Sequence, residues 1–148
     1  MRALGVEISG SDSLLVILDG TAKDCNIELL SPSRLQLPAA GLEVDQLMAL
    51  KKQMLEVLKS NKVECVGIIR ADLGTSPIRA KVECMIQVAS SEASIPCTLV
   101  PQQTVAAAEK RKVSAVAGPD LDQALRGISP GYLRKAARCA WSVLNAKQ

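Results

Sequence analysis

Hydrophobic positions recur along the chain first with a period of two and then with the longer period of a helix, and each switch marks an element. Residues 3–9 ("ALGVEIS") and 13–19 ("SLLVILD") are short apolar runs separated by Gly, Ser and Asp, the residues that supply tight turns. This spacing predicts a β-hairpin. "CNIELLSPSRLQL" continues as a third strand, bounded or interrupted by Pro32, with Leu35 and Leu37 alternating beyond it. The three form a predicted antiparallel meander.

The period then lengthens. From Glu43 to Ser60, Val44, Leu47, Met48, Leu55 and Leu58 share one helical face, which Leu50, Met54 and Val57 widen. Lys51, Lys52, Glu56 and Lys59 lie mostly opposite. Residues 63–69 ("VECVGII") are almost wholly apolar, as expected of a central strand covered on both faces. A second helix has a marked start, with Gly74 for a turn, Ser76 as N-cap and Pro77 at the first helical position. Ile78, Val82, Met85, Ile86 and Ala89 follow at helical spacing.

"IPCTLV" predicts a fifth strand closed by Pro101, and "QQTVAAAEKRK" a short helix with a basic end. "GPDLDQALRGISPG" is turn-rich. Ser129-Pro130 starts a last helix whose apolar face is Leu133, Ala137, Ala140, Trp141 and Leu144. The order β-β-β-α-β-α-β-α-α, with no internal repeat or low-complexity linker, predicts a single domain over residues 1–148.

Composition narrows the chemistry. Apolar residues make up 48% of the chain, but it has one Trp, one Tyr and no Phe, so the core is expected to be aliphatic. No apolar run reaches the length of a membrane span, and the N-terminus, its apolar stretch broken by Glu7, is too weak for a secretory signal. The expected location is the cytoplasm. The chain has no histidine, and its five cysteines include no CxxC pair, which excludes a Cys/His zinc site and any His-based triad or general base. The cysteines read as small buried hydrophobes. A net charge of +3 permits contact with nucleic acid without the strong footprint of a dedicated binder.

One feature of the first strand is unusual: Glu7 places a carboxylate near the end of a core segment. A buried acid needs a partner, either a metal ion or a cation such as Arg70, Arg134 or Arg138. Asp12 and Asp19 flank the hairpin as turn residues. Asp72 with Gly74, Thr75 and Ser76 forms either a helix-capping loop or one that faces an anion or a metal. Arg79 and Glu83, four residues apart, read as an exposed helix pair. Lys110, Arg111 and Lys112, with Arg138, are candidate phosphate contacts, although a solvated helix end explains the first three equally well. The scarcity of aromatic residues argues against single-strand binding by base stacking.

Three meandering strands followed by alternating helices and strands is the order of the ribonuclease H-like fold. "ALGVEISGSDSLLVIL" resembles the first hairpin of its RuvC resolvase branch, "VECVGII" the central strand, "AKVECMIQVA" the next helix, and "IPCTLVPQQTVAAAEKRK" the strand, proline and basic helix after it. Over nearly its whole length the chain is also similar to a family of small uncharacterised bacterial proteins of that fold, matching at Gly5, Val6, Glu7, Glu83, Ile86, Gln87 and Pro101. The resemblance implies an α/β fold: a five-stranded mixed sheet, three strands antiparallel and the others parallel, with helices on both faces. It also implies a site. Active members cut a phosphodiester with two Mg²⁺ ions about 4 Å apart, held by carboxylates on the first strand, the central strand and the last helix.

Glu7 stands at the first of these positions. At the second, "IIRADLG" has Arg70 and Ala71, with Asp72 one or two residues late. At the last, "YLRKAARCAW" has Arg134, Lys135 and Arg138 in place of acids. Two functions follow. One is a catalytically degenerate domain acting as a nucleic-acid-associated or protein-interaction module, with DNA, RNA or a second copy of the chain as expected partner. The other is a divergent Mg²⁺-dependent nuclease using Glu7, Asp72 and one of Asp120 or Asp122, with Glu7 and Asp72 as metal ligands. A third, an ATP-binding domain of the actin and sugar-kinase type, is disfavoured because the chain lacks a second Gly-rich phosphate loop.

Overall fold

The computed structural model describes residues 1–72, 74–110, 128 and 131–147, with the backbone alone for residues 108–110. Five strands, β1 (Arg2–Ser9), β2 (Asp12–Gly20), β3 (Cys25–Leu35), β4 (Cys65–Ile69) and β5 (Cys97–Val100), form one sheet in the order β3-β2-β1-β4-β5. β1 pairs antiparallel with β2 and parallel with β4; β2–β3 is antiparallel and β4–β5 parallel. Pro32 does not end β3. It lies where the register with β2 shifts, so that residues 30–33 face only Leu15, and an edge strand tolerates a proline at such a bulge.

Helices α1 (Glu43–Ser60) and α2 (Pro77–Glu92) cover one face of the sheet. There Leu4, Val6, Ile8, Leu15, Ile17, Val66 and Ile68 meet Leu50, Met54, Leu58, Val82 and Ile86. The buried stripe of α1 is centred on Leu50, Met54 and Leu58, not on the predicted line through Val44 and Met48, which are exposed. Lys51 also departs from the expected outer face: its stem is largely buried and its ammonium pairs with Glu92 at 2.9 Å.

The other face carries helix α4 (Arg134–Ala146), entered through a 3₁₀ turn at Gly131–Leu133, with α3 (Gln102–Lys110) packed beside it. Here the packing depends on small residues. A Cβ on Gly5 would lie 1.8 Å from the Ala136 carbonyl oxygen, and one on Gly67 would lie 2.5 Å from Val143 Cγ2 and 3.1 Å from Cys139 Sγ. The helix backbone thus rests on the central strands, and Trp141 anchors it by donating its indole N–H to the Ala22 carbonyl at 2.9 Å.

Of the cysteines, Cys65 and Cys139 are buried and Cys25 and Cys97 half-buried, but Cys84 is exposed, against the expectation that all five are core residues. Asp12 and Asp19 are also strand residues, not merely turn residues. Asp12 pairs with Arg34 at 3.3 Å and Asp19 with Arg2 at 2.8 Å.

Candidate functional site

Strand alternation decides where Glu7 points. Leu4, Val6 and Ile8 face α1 and α2, so Ala3, Gly5 and Glu7 face α4. Because Gly5 lies under Ala136 and Ala140, the first turn of α4 comes to rest over Glu7, whose side chain is 19% exposed. The Lys135 ammonium stands 4.0 Å from Glu7 Oε1. Burial pushes the Glu7 carboxyl above its ordinary pKa, and the charges of Lys135 and, from the first turn of α2, Arg79 pull it back.

The cations that act on Glu7 therefore include two, Lys135 and Arg79, outside the set Arg70, Arg134 and Arg138 named from the sequence. Arg79 was not legible because the i, i+4 spacing suggested a pair with Glu83. No ion pair joins those two. Glu83 is half-buried and accepts the Ala71 N–H at 2.9 Å, fixing the chain as it leaves β4. Arg79 Nε is buried and has no hydrogen-bond partner among the described residues.

The start of α4 breaks a local rule. Cations are disfavoured at a helix N-terminus, where the backbone dipole is positive, yet Arg134 and Lys135 open the helix, no acid is in its first turn, and Arg138 follows one turn on. Arg70 adds a further exposed cation directly after β4, beside the end of β1.

The other candidates are dispersed. Asp72 is exposed in the loop before α2, where its Oδ2 accepts the Gln102 amide at 2.9 Å and its carbonyl accepts the Thr75 hydroxyl. Ser76 occupies the N-cap position, but its side chain makes no capping hydrogen bond. Lys110 ends α3. Arg111, Lys112, Asp120 and Asp122 lie outside the described residues.

A two-metal site needs several carboxylates converging on one point. Among the described residues no three Asp, Glu or Cys side chains come together in this way. Lys135 lies against Glu7, and Asp72 is engaged by Gln102. The described residues do not fit such a site. Nor does Cys139, on the buried face of α4, offer a nucleophile, because burial pushes its thiol up to about 12.

Comparison with known proteins identifies the fold. Residues 1–127 match the family model DUF3010, "Protein of unknown function", and the chain belongs to that family. The structure is similar to Thermus thermophilus RuvC, with TM-score 0.72 and 16% identity over 99% of this chain and 96% of that one. It is similar also to T. thermophilus RuvC in complex with a Holliday junction substrate, with TM-score 0.71 and 15% identity over 99% and 95% of the two chains. The yeast mitochondrial Holliday junction resolvase Ydc2 aligns with TM-score 0.58 and 11% identity over 97% of this chain and 77% of that one. No curated protein matches. The fold is thus ribonuclease H-like, of the RuvC type, with the five-stranded mixed sheet that the element order predicts.

Proposed function

We propose that this DUF3010 member is a ribonuclease H-like domain that binds structured nucleic acid through its phosphate backbone and does not cut it. The observation that carries the reading is the pairing of Glu7 with Lys135, in a helical first turn that opens with two cations and holds no acid. An acid at the first-strand position of a metal site is useful only if other acids share the metal with it; facing ammonium and guanidinium groups, it orients them instead. Placing cations against the helix dipole costs stability, and a buried guanidinium nitrogen without a partner among the described residues, as on Arg79, costs more. Both costs are repaid by an anion, and phosphate takes charge-assisted hydrogen bonds from arginine in pairs.

In this reading Arg70, Arg79, Arg134, Lys135 and Arg138 contact phosphates at the edge where β1 and β4 end, and Glu7 holds Lys135 and Arg79 in place. The similarity to a resolvase bound to a Holliday junction makes a branched DNA the first substrate to try.

The test is fluorescence anisotropy with labelled four-way junction, duplex and single-stranded oligonucleotides, in EDTA and in Mg²⁺, across a salt series. The expected result is binding that needs no divalent ion, weakens steeply as salt rises, and leaves the nucleic acid intact. Loss of about one phosphate contact's salt dependence is expected for Lys135→Ala. Mg²⁺-dependent cleavage abolished by Glu7→Gln would instead establish the divergent nuclease. Absence of binding at low salt would refute a nucleic-acid role altogether.

A further inference from the structure

The aromatic residues of this chain are divided between core and surface. Trp141 is buried and its N–H is satisfied, whereas Tyr132 is 48% exposed in the turn that leads into α4. The Arg34 guanidinium lies 5.2 Å from the centre of its ring. Arg34 is itself held by Asp12 at 3.3 Å, so the stack is braced from the β1–β2 hairpin.

Register places this stack relative to the basic edge. Glu7 pairs with Leu14 across β1–β2, and Leu14 with Arg34 across β2–β3. Residues directly opposite share a face, so Glu7, Leu14 and Arg34 form one row on the α4 side of the sheet, spanning two strand spacings, or about 10 Å. Tyr132 and Lys135 leave the start of α4 toward opposite ends of that row, with Tyr132 over Arg34 and Lys135 at Glu7. Arg134 lies between them in sequence, its guanidinium beside Gly131.

We infer that Tyr132, backed by Arg34, is a stacking platform for an unpaired base, so that the partner is nucleic acid with an extruded or single-stranded nucleotide next to a duplex segment. The inference rests on the nucleic-acid reading above and adds to it the feature of the partner that is recognised. A ring braced on one face by a guanidinium loses little freedom when a base stacks against it, and any base can supply the second face. Cations a strand or two away suit the phosphates of the nucleotides on either side. Tyr132 thereby qualifies the expectation that a chain so poor in aromatics has no stacking function: one ring in the right place is enough.

The experiment compares a fully paired duplex with the same duplex carrying one unpaired 2-aminopurine. Wild type and Tyr132→Phe should bind the second DNA more tightly and quench its fluorescence. Tyr132→Ala should lose about ten-fold in affinity for it, with duplex binding unchanged. Thermal unfolding of each variant verifies that the fold is intact, as expected for an exposed side chain. Quenching and preference that survive in Tyr132→Ala, or a wild type that binds both DNAs equally, overturn the platform while leaving backbone binding in place. A wild type that binds neither DNA overturns the functional reading as well, and the two failures are thereby distinguished.

Discussion

Strand β1 carries a charge near each end and closes the two in opposite ways. At its start, Arg2 reaches Asp19 at 2.8 Å, Glu28 at 2.7 Å and the Asn61 carbonyl at 2.7 Å, while its backbone N–H meets Glu64 at 2.8 Å. The fork is saturated, tying together β1, β2, β3 and the end of α1. At the other end Glu7 is less exposed than any of those acids, yet its partner Lys135 stands at 4.0 Å, beyond hydrogen-bonding distance. A saturated cluster reads as a structural brace. A half-buried carboxylate whose nearest cation stands beyond hydrogen-bonding distance reads as a site whose remaining partner is a ligand.

Breaking what both ends share should have the largest effect. Gly5→Ala forces a Cβ into the Ala136 carbonyl, which is backbone and cannot move aside, and should cost about 3 kcal/mol or more in chemical denaturation. Gly67→Ala meets movable side chains of Val143 and Cys139 first and should cost less, about 1–2 kcal/mol. Equal losses at the two glycines would show that α4 shifts freely on the sheet.

The contrast between the ends predicts the next step down. Arg2→Ala should lower unfolding stability by about 1–2 kcal/mol, since it removes a largely buried guanidinium that bonds three groups, although the two acids, nearly half exposed, regain water. Glu7→Gln should change it by no more than about 1 kcal/mol, because no short hydrogen bond is lost. A Glu7→Gln loss as large as that of Arg2→Ala would make Glu7 another brace.

The pH dependence sharpens the comparison further. The folded pKa of Glu7 stands above its ordinary 4.5, chiefly through burial, so the protonated carboxyl favours folding. That contribution is full below pH 4.5 and is lost as pH rises through the folded value. Glu7→Gln should remove this loss, making stability flatter with pH from 4.5 upward. The smallest effect is that of Lys135→Ala: stability within about 0.5 kcal/mol of wild type, but a Glu7 titration displaced upward when followed by NMR of the carboxyl carbon. An unmoved titration would remove Lys135 from the site.

Much of the fold was legible because its signals are local. The period change at Glu43, the almost wholly apolar 63–69 run and Pro77 after Ser76 each identify an element without reference to any other, and α1 has the bounds the pattern predicts. The misreadings come where two elements must be known at once. Val44 and Met48 fit the helical stripe of α1, but the sheet meets that helix along Leu50, Met54 and Leu58. Glu83 has a plausible partner four residues away in Arg79, yet the end of β4 offers it a backbone N–H.

By itself, then, the sequence determined the element order, the aliphatic core, the absence of histidine chemistry and the presence of an acid on the first strand, since composition and short-range periodicity suffice for these. Only the tertiary structure decided which charges face that acid. Lys135 lies 128 positions away in the chain, and it reaches Glu7 because Gly5 has no side chain and lets α4 settle on β1. The partner of a buried charge is a property of packing, and spacing along the chain does not encode it.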